Sequence, residues 1–304
     1  MRVIDYLLDS DEAVKAFASK ALLEQDFTIK KSDLIENYLS KFDHKTNLFG
    51  QGVYSPKWIS TFYTLKDLYQ FGIDPNHPIL HKGLDSITTD LWTNTRYKYP
   101  DLCVIAMLVS VSTYAKRPAE LIDEMMDYLI THYQKEDGGW NCQSPYRGDK
   151  HSSIHTTLSV LLAFRDYELN GYKNKLETIK PLINTGQEYL LRKRLFKRET
   201  NGKNIMSYIT TIHFPVRWQY DIYRGLEYFA SLKYPFDERM SEALDILKKQ
   251  FKNTLLPKGG VFSGPIHFDL GLDVYRKMNT IRGLSILKVY DPNLYQEMIN
   301  REIK

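Results

Sequence analysis

The sequence is poor in cysteine, in net charge and in long apolar runs. Its 2 cysteines, Cys103 and Cys142, among 304 residues are too few for a disulfide scaffold or a four-cysteine zinc site. The net charge of +4 is well below what nucleic-acid binding requires. The longest apolar stretch, around residues 102–111, is half as long as a membrane-spanning helix. We therefore expect neither a nucleic-acid partner nor a transmembrane segment.

The N-terminal residues and the composition indicate location and class. Arg2 and Asp5 place charges within the first ten residues, and no signal-peptide core follows, which predicts a cytoplasmic protein. Apolar residues make up 43% of the chain and aromatic residues 13%, enough for a sizeable core. The length is near the upper limit for one core, so we expect either two domains or one large ring or barrel.

Helical periodicity dominates the chain. Residues 237–251 carry one apolar stripe, formed by Met240, Leu244, Leu247 and Phe251. Charged residues lie on the opposite face, so this segment is predicted to be a half-exposed helix. Residues 118–134 show the same pattern. Windows that are apolar almost all round alternate with these and predict buried helices: 102–111, 154–164, 222–232 and 281–289.

The buried helices resemble one another, which indicates an internal repeat. Each carries a similar triplet, for example Thr156-Thr157-Leu158 and Arg282-Gly283-Leu284. A small or polar residue precedes each triplet by three positions and is expected in the first turns of its helix: Ser60, Cys103, Ser153, Asp221 and Asn279. Lys20-Ala21-Leu22 is a less similar sixth copy. Six buried helices, each followed by an amphipathic one, predict an all-α (α/α)6 toroid of six helical hairpins, with an inner and an outer ring, as a single domain over residues 1–304.

One connection carries the clearest motif. Residues 134–140 form Gln-Lys-Glu-Asp-Gly-Gly-Trp, in which glycine supplies the turn and Trp140 is expected to pack back on its hairpin. This segment resembles the Gln–Trp (QW) repeat of squalene–hopene cyclases and related triterpene cyclases. The chain is also similar to small bacterial squalene-cyclase-like proteins in residues 56–61, 140–142, 151–158 and 214–221.

The resemblance implies the α/α toroid shared by terpenoid cyclases and protein prenyltransferase β-subunits, and an isomerase or lyase activity on an isoprenoid. The chain departs from those families in its motifs. It has neither the Asp-x-Asp-Asp proton-donor motif nor the Asp-Asp-x-x-Asp magnesium motif, and the aspartate, cysteine and histidine that hold zinc in prenyltransferases have no matching context. The resemblance therefore supports the fold more than the activity.

In a toroid, the first turns of the inner helices face one mouth of a central cavity, where free N–H groups favour anionic or electron-rich ligands. The predicted catalytic residues there are Asp221, His155, Tyr220 and Arg217. The predicted substrate-binding residues are Trp58, Ser60, Asp101, Cys103, Ser153, Trp218, Arg276 and Asn279. Asp221 is the leading general acid, because a buried carboxylate has a raised pKa. The alternative is an ion pair with Arg217 or Arg224.

A metal site is a weaker possibility. His151 and His155 are spaced as a metal pair on a helix, with Cys142 or Asp149 as a third ligand. The preferred interpretation is a hydrogen-bonded histidine in the cavity wall. The sequence therefore predicts no metal and no cofactor.

Three functions are compatible with these residues. In the first, a terpenoid-cyclase-like enzyme protonates a small apolar isoprenoid with Asp221 or Asp101, and aromatic rings stabilise the carbocation: Trp58, Tyr63, Trp218, Tyr220 and Tyr223. In the second, a polysaccharide-lyase or uronate-hydrolase-like enzyme uses Asn279, His155, Tyr220 and Arg217. In the third, a toroid without activity binds a lipid, a peptide or a protein. The sequence leaves the oligomeric state open.

Overall fold

A computed structural model describes residues 1–94 and 100–303, and this part of the chain is mostly helical. Its fourteen α-helices are, in order, α1 Val3–Leu8, α2 Glu12–Ala18, α3 Asp33–Leu39, α4 Thr61–Gln70, α5 Pro78–Thr88, α6 Leu102–Tyr114, α7 Ala119–Thr131, α8 Ser144–Arg147, α9 Ile154–Leu169, α10 Leu176–Arg192, α11 Ile222–Ser231, α12 Ser241–Gln250, α13 Leu272–Tyr290 and α14 Pro292–Asn300. Within the described ranges, no helix is long and apolar enough to cross a membrane.

Short elements complete the chain. π-helical turns extend α2 over Ser19–Leu23 and α5 over Thr89–Thr93, and 3₁₀ turns flank α12 at Glu238–Met240 and Phe251–Asn253. Two strands of two residues each, β1 Phe42–Asp43 and β2 Leu48–Phe49, pair antiparallel, with Phe42 opposite Phe49 and Asp43 opposite Leu48.

The windows without a polar face form the interior helices. Every residue of α6 from Leu102 to Thr113 is buried, because this helix has no charged face to turn toward water. The predicted windows in α9, α11 and α13 are also largely buried. The stripe predicted around α12 is buried from Met240 to Phe251, whereas the opposite face carries charged residues. Both classes of helix are therefore confirmed.

Each interior helix packs against the helix that follows it in sequence. The pairs are α4 with α5, α6 with α7, α9 with α10, α11 with α12 and α13 with α14. Interior helices also contact each other: α4 packs on α6, α6 on α9, α11 on α13, and α13 on α2. At the two ends of the described chain, the Val3 N–H donates to the Arg301 carbonyl over 2.9 Å, and α1 packs on α14.

A recurring contact fastens three of the connections to interior helices. In each, a threonine hydroxyl of the interior helix that follows the connection accepts a backbone N–H of the connection. The bonds run from Phe49 to Thr61 (2.9 Å), from Trp140 to Thr157 (3.0 Å) and from Leu256 to Thr280 (3.0 Å). These buried bonds satisfy backbone N–H groups of the connections.

In the Gln–Trp connection, Trp140 fastens the loop to helix α7. The Trp140 side chain is fully buried, and its Nε1–H donates to the Leu129 carbonyl in α7 over 2.8 Å. The Gln134 N–H donates to the Gly139 carbonyl over 2.9 Å and closes the turn. At Gly139 a Cβ would lie 2.4 Å from the Thr157 hydroxyl. The prediction that this ring packs back on its own hairpin is confirmed.

Candidate active site at the helix N-termini

Side-chain contacts join the N-terminal ends of α6, α9 and α11. Cys142, in the connection before α9, accepts hydrogen bonds at Sγ from the Cys103 backbone N–H (3.1 Å) and from the Thr156 hydroxyl (3.3 Å). His155, in the first turn of α9, accepts the Tyr220 backbone N–H at Nδ1 over 2.7 Å. Three of the predicted site residues, Cys103, His155 and Tyr220, are therefore held together at the N-terminal ends of neighbouring helices.

Three aromatic rings surround the ammonium group of Lys57. Its Nζ lies 5.2 Å from the ring centre of Tyr54, 5.9 Å from Trp58 and 5.8 Å from Trp218. We call Tyr54, Trp58 and Trp218 the aromatic cage. Ring faces attract cations through their quadrupole, so the cage is a place where positive charge is stabilised.

The carboxyl group of Asp101 interacts electrostatically with Lys57, the residue held in this cage. Asp101 is the residue before α6, yet its side chain makes no capping hydrogen bond. Its Oδ1 accepts a long hydrogen bond of 3.4 Å from the Tyr146 hydroxyl. Burial raises the pKa of Asp101, while Tyr146 and the charge of Lys57 lower it. A half-buried carboxyl group with few hydrogen bonds and a raised pKa is suited to donate a proton.

Asp221 is engaged differently from the prediction. It is buried at the N-cap of α11, where Oδ1 accepts the Arg224 backbone N–H over 3.0 Å and Oδ2 accepts from His213 Nδ1 over 3.3 Å. The proposed ion pair with Arg217 or with the Arg224 guanidinium is wrong, because Arg217 pairs with Asp67 and Arg224 contributes its backbone instead. Both carboxylate oxygens of Asp221 are occupied by structural partners.

The buried pair of Asp67 and Arg217 is a feature that the sequence analysis missed. Asp67 Oδ1 forms the ion pair, and Oδ2 accepts from the Tyr38 hydroxyl over 3.1 Å. Burial raises the pKa of Asp67, and Arg217 opposes that shift. The Arg217 guanidinium stacks 5.2 Å from the Trp58 ring. The only sequence signal was the Lys66-Asp67 dipeptide inside an otherwise apolar segment.

His155 and Tyr220 are adjacent, but not as a catalytic pair of side chains. Because His155 Nδ1 accepts a backbone bond, its Nε2–H points to the Met206 sulfur at 3.1 Å. Burial and the charge of Arg224 lower the pKa of His155 to about 4, so the ring is neutral at pH 7. The Tyr220 hydroxyl is buried, has no hydrogen-bond partner among the described residues and faces Gly225.

Ser60 and Ser153 are N-terminal neighbours of α4 and α9, as expected. Asn279 is not in a first turn. It is the eighth residue of α13, which begins farther upstream than the repeat suggested. Its Nδ2 donates to the carbonyls of Pro257 (3.0 Å) and Lys258 (2.8 Å). No described contact joins Asn279 to the other three residues of the predicted carbohydrate set.

Arg276 lies on a separate groove of about 390 Å³. The groove is also lined by Gln250, Asn253, Leu255, Pro257, Lys258 and Leu272. Its residues come from the region between α12 and α13, together with the ends of those helices. Arg276 therefore lies in this groove, and Asn279 binds the backbone of two of its lining residues, Pro257 and Lys258.

A small cavity is lined in part by Trp58. It measures about 20 Å³ and is lined by Arg217 and by aromatic and apolar side chains, so it has room for one water molecule. Residues 257–271, which we call the covering loop, close it. Trp58 donates to this loop twice, from Nε1 to the Ser263 carbonyl (3.0 Å) and from its backbone N–H to the Pro265 carbonyl (3.3 Å).

The histidines do not assemble a metal centre in the described part of the chain. No group of three His, Cys, Asp or Glu side chains there could hold a metal ion. His151 is exposed, whereas the His155 ring contacts Met206 and stacks edge-on against Trp218 at 5.2 Å.

Comparison of the chain with protein-family models, with curated proteins and with solved structures finds no match. The site therefore has to be interpreted from its own chemistry. It combines an aromatic cage around a cation, a half-buried carboxyl group and a neutral histidine, all at the N-terminal ends of interior helices.

Proposed function

We propose that the hairpins close into an (α/α)6 toroid and that the chain is a terpenoid-cyclase-like enzyme, which protonates an apolar isoprenoid at the aromatic cage. Two observations support the ring. Successive interior helices are each backed by the next helix in sequence, and α13 packs against α2 at the opposite end of the chain. This arrangement would place the N-terminal ends of the interior helices around one opening.

The observation that carries the proposal is the cation held by the cage. Lys57 Nζ has three ring centres within 6 Å, those of Tyr54, Trp58 and Trp218. Protonation of a carbon–carbon double bond places a positive charge on the neighbouring carbon. Rings that stabilise an ammonium ion would stabilise that carbocation by the same electrostatic attraction.

In this proposal Asp101 supplies the proton, and Asp221 does not. Asp221 accepts hydrogen bonds at both oxygens and maintains the start of α11, whereas Asp101 makes no capping bond and has a raised pKa caused by burial. The proton would pass from the Asp101 carboxyl to the alkene carbon. Loss of a proton from a carbon next to the cation then returns the carboxyl to its starting state, so the net reaction is an isomerisation or a cyclisation.

Substrate entry requires two movements. The cavity of about 20 Å³ beside Trp58 is far smaller than the several hundred cubic ångströms typical of ligand pockets. The Lys57 side chain would leave the cage, and the covering loop would separate from Trp58, which it contacts through two hydrogen bonds.

Turnover of isoprenoids tests the proposal. Purified protein would be incubated with linear isoprenoids and with their diphosphates, and organic extracts would be analysed by mass spectrometry. We expect cyclised or isomerised products from the wild type, and a loss of about 10²-fold or more in rate for Asp101→Asn. Asp127→Asn is the matched control, because Asp127 is exposed on α7 and should leave the rate unchanged. Absence of turnover, or equal rates for wild type and Asp101→Asn, would overturn the proposal.

The groove at Arg276 favours a second candidate, a binding protein without activity. Its volume of about 390 Å³ is within the range of small-molecule sites, and Arg276 and Lys258 give it positive charge. Such a protein should carry a small anionic or amphipathic molecule through purification. Native mass spectrometry would detect that ligand and its loss in Arg276→Ala. An empty wild-type preparation would count against binding.

A further inference from the structure

The two cysteines of the chain contact each other although they lie 39 residues apart. Cys103 is the second residue of α6, and Cys142 belongs to the connection between α7 and α9. The Cys142 sulfur accepts the Cys103 backbone N–H over 3.1 Å. Both side chains are free thiols. Because these are the 2 cysteines in 304 residues, neither has another cysteine with which to form a disulfide within the chain.

The hydrogen bonds around the pair distinguish the two sulfurs. The Cys142 sulfur lies beside the Cys103 thiol and accepts hydrogen bonds from the Thr156 hydroxyl (3.3 Å) and from the Cys103 backbone N–H. These contacts lower the pKa of Cys142. For Cys103 the contact with Cys142, together with burial, raises the pKa. Donors that point at one sulfur stabilise its thiolate form, and the thiolate is the nucleophile in thiol chemistry.

Cys142 is also the more solvent-exposed of the two cysteines. Cys142 is partly exposed, whereas Cys103 is buried, with 7% of its surface exposed. An oxidant from solution would therefore reach Cys142 first. Cys103 can then attack the oxidised Cys142, which is the role of the resolving cysteine in a redox-active pair.

We propose that Cys103 and Cys142 form a redox-active dithiol, with Cys142 as the attacking thiolate and Cys103 as the resolving thiol. With a low-molecular-weight disulfide as oxidant, the Cys142 thiolate attacks one sulfur and expels a thiolate, which gives a mixed disulfide. Cys103 then attacks the Cys142 sulfur, loses its proton to the second departing thiolate and completes the protein disulfide. The two protein thiols lose two electrons, and the small disulfide is reduced to two thiols.

Oxidation would also change the neighbouring site. A bond between the sulfurs removes the thiolate that accepts from Thr156 and ties the connection before α9 to the start of α6. Asp101 lies two residues before Cys103, and the charge of Asp101 affects the Cys142 thiol. The inference itself does not depend on the proposed function, because thiol state is measured without a substrate.

The experiment is a redox titration of the full chain. The protein is equilibrated in mixtures of reduced and oxidised glutathione, quenched with acid, alkylated and digested for mass spectrometry. We expect both thiols of the wild type to disappear together, with one cross-linked peptide pair that joins Cys103 to Cys142. In Cys103→Ser, Cys142 should instead accumulate the mixed disulfide with glutathione.

Cys142→Ser is the complementary variant. Its buried Cys103 should remain alkylatable after unfolding under the conditions that oxidise the wild type. The proposal is overturned if the wild type keeps both thiols over the whole titration. It is equally overturned if the wild type accumulates as much mixed disulfide on Cys142 as Cys103→Ser does, because Cys103 would then resolve nothing.

A second measurement tests the assignment of the thiolate. The rate of alkylation by iodoacetamide is followed against pH in the reduced protein. Cys142 should react before Cys103, with a midpoint below the value of about 8.5 for an ordinary cysteine. Thr156→Val removes one donor and should move that midpoint upward. Faster reaction of Cys103, or an ordinary midpoint at Cys142, would contradict the assignment.

Discussion

Individual buried polar residues in this protein are tied to partners that are far away in sequence. Asp67 is paired with Arg217, 150 residues later, and accepts from Tyr38. Lys66 is also buried, and burial together with the charges of Arg224 and Arg217 lowers its pKa to about 7. Removing one member of a buried ion pair leaves an uncompensated charge, which costs more than the pair contributes.

Breaking the Asp67–Arg217 pair should therefore be strongly destabilising. We expect Asp67→Asn and Arg217→Met each to lower the free energy of unfolding by about 3–5 kcal/mol, measured by urea denaturation. The double variant should lose less than the sum of the two single losses, because it leaves no unpaired charge. The exposed pair of Asp127 and Lys175 is the control, and Asp127→Asn should cost less than about 1 kcal/mol. Additive losses in the double variant would contradict the pairing.

His155 should make stability depend on pH. Its pKa is about 4 in the folded protein, because burial and Arg224 disfavour the charged form, and about 6.5 when unfolded. Between these values the unfolded chain binds more protons, so stability is present above pH 6.5 and is lost as the pH falls toward 4. The loss attributable to this residue is about 3 kcal/mol at most.

The matched variant for that prediction is His155→Asn. The asparagine oxygen can accept the Tyr220 N–H that His155 Nδ1 now accepts, yet it does not titrate. Carboxylates titrate equally in both proteins. Urea denaturation at pH 7 and pH 4 should therefore show a larger loss in the wild type than in the variant. Equal losses would mean that His155 protonates without cost in the folded state.

Among the elements, α11 packs closely against the segment that precedes it. A Cβ at Gly225 would lie 2.2 Å from the Tyr220 hydroxyl oxygen and 3.0 Å from its Cζ. The hydroxyl is buried, and no described residue forms a hydrogen bond with it, so it contributes crowding without a compensating bond.

Gly225→Ala should destabilise the protein by about 1–3 kcal/mol through overpacking, despite the higher helix propensity of alanine. Tyr220→Phe removes a buried hydroxyl that has no partner among the described residues and should be neutral or stabilising. Adding Tyr220→Phe to Gly225→Ala should recover a large part of the loss. Thermal unfolding of the three variants measures these changes, and a double variant no more stable than Gly225→Ala would show that the strain lies elsewhere.

Helices could be predicted from the sequence where a local pattern decides them. The all-round apolarity of α6 and the stripe of α12 identify buried and half-exposed helices without knowledge of their partners. Position within an element was less predictable. Asn279 matches the repeat but lies in the third turn of α13. The helix begins earlier than the repeat indicates, at Leu272, directly after the covering loop.

The candidate site was predicted only in part, for a related reason. Five of the predicted residues lie at or just before the N-termini of neighbouring helices, because the repeat assigns them to helix starts. They are Trp58, Asp101, Cys103, His155 and Trp218. Tyr54 and Asp67 were missed. One is in a loop whose path the sequence pattern does not determine, and the other is a carboxylate whose partner comes from a distant segment.

At the scale of the whole molecule, the first and last described segments pack against each other. Arg2 and Glu302 form an antiparallel bridge, and the Ile303 N–H donates to the Met1 carbonyl over 3.0 Å. Between them α14 packs on α13 and on α1. If the hairpins form a closed ring, the position of the chain ends along that ring is not important for stability, whereas the presence of every hairpin is.

A circular permutant tests that distinction. The ends would be joined by a short glycine-rich linker and new ends opened between Asn201 and Gly202, which are exposed in the turn after α10. We expect one cooperative urea transition within about 2 kcal/mol of the wild type, because exposed turns tolerate new termini.

Deletion of residues 292–303 should instead unfold the protein. It removes the buried side chains of Tyr295, Met298 and Ile299, worth about 1.5–3 kcal/mol each, against a typical total stability of about 5–15 kcal/mol. A folded deletion variant beside an unfolded permutant would show that order along the chain, and not closure between its ends, holds the helices together.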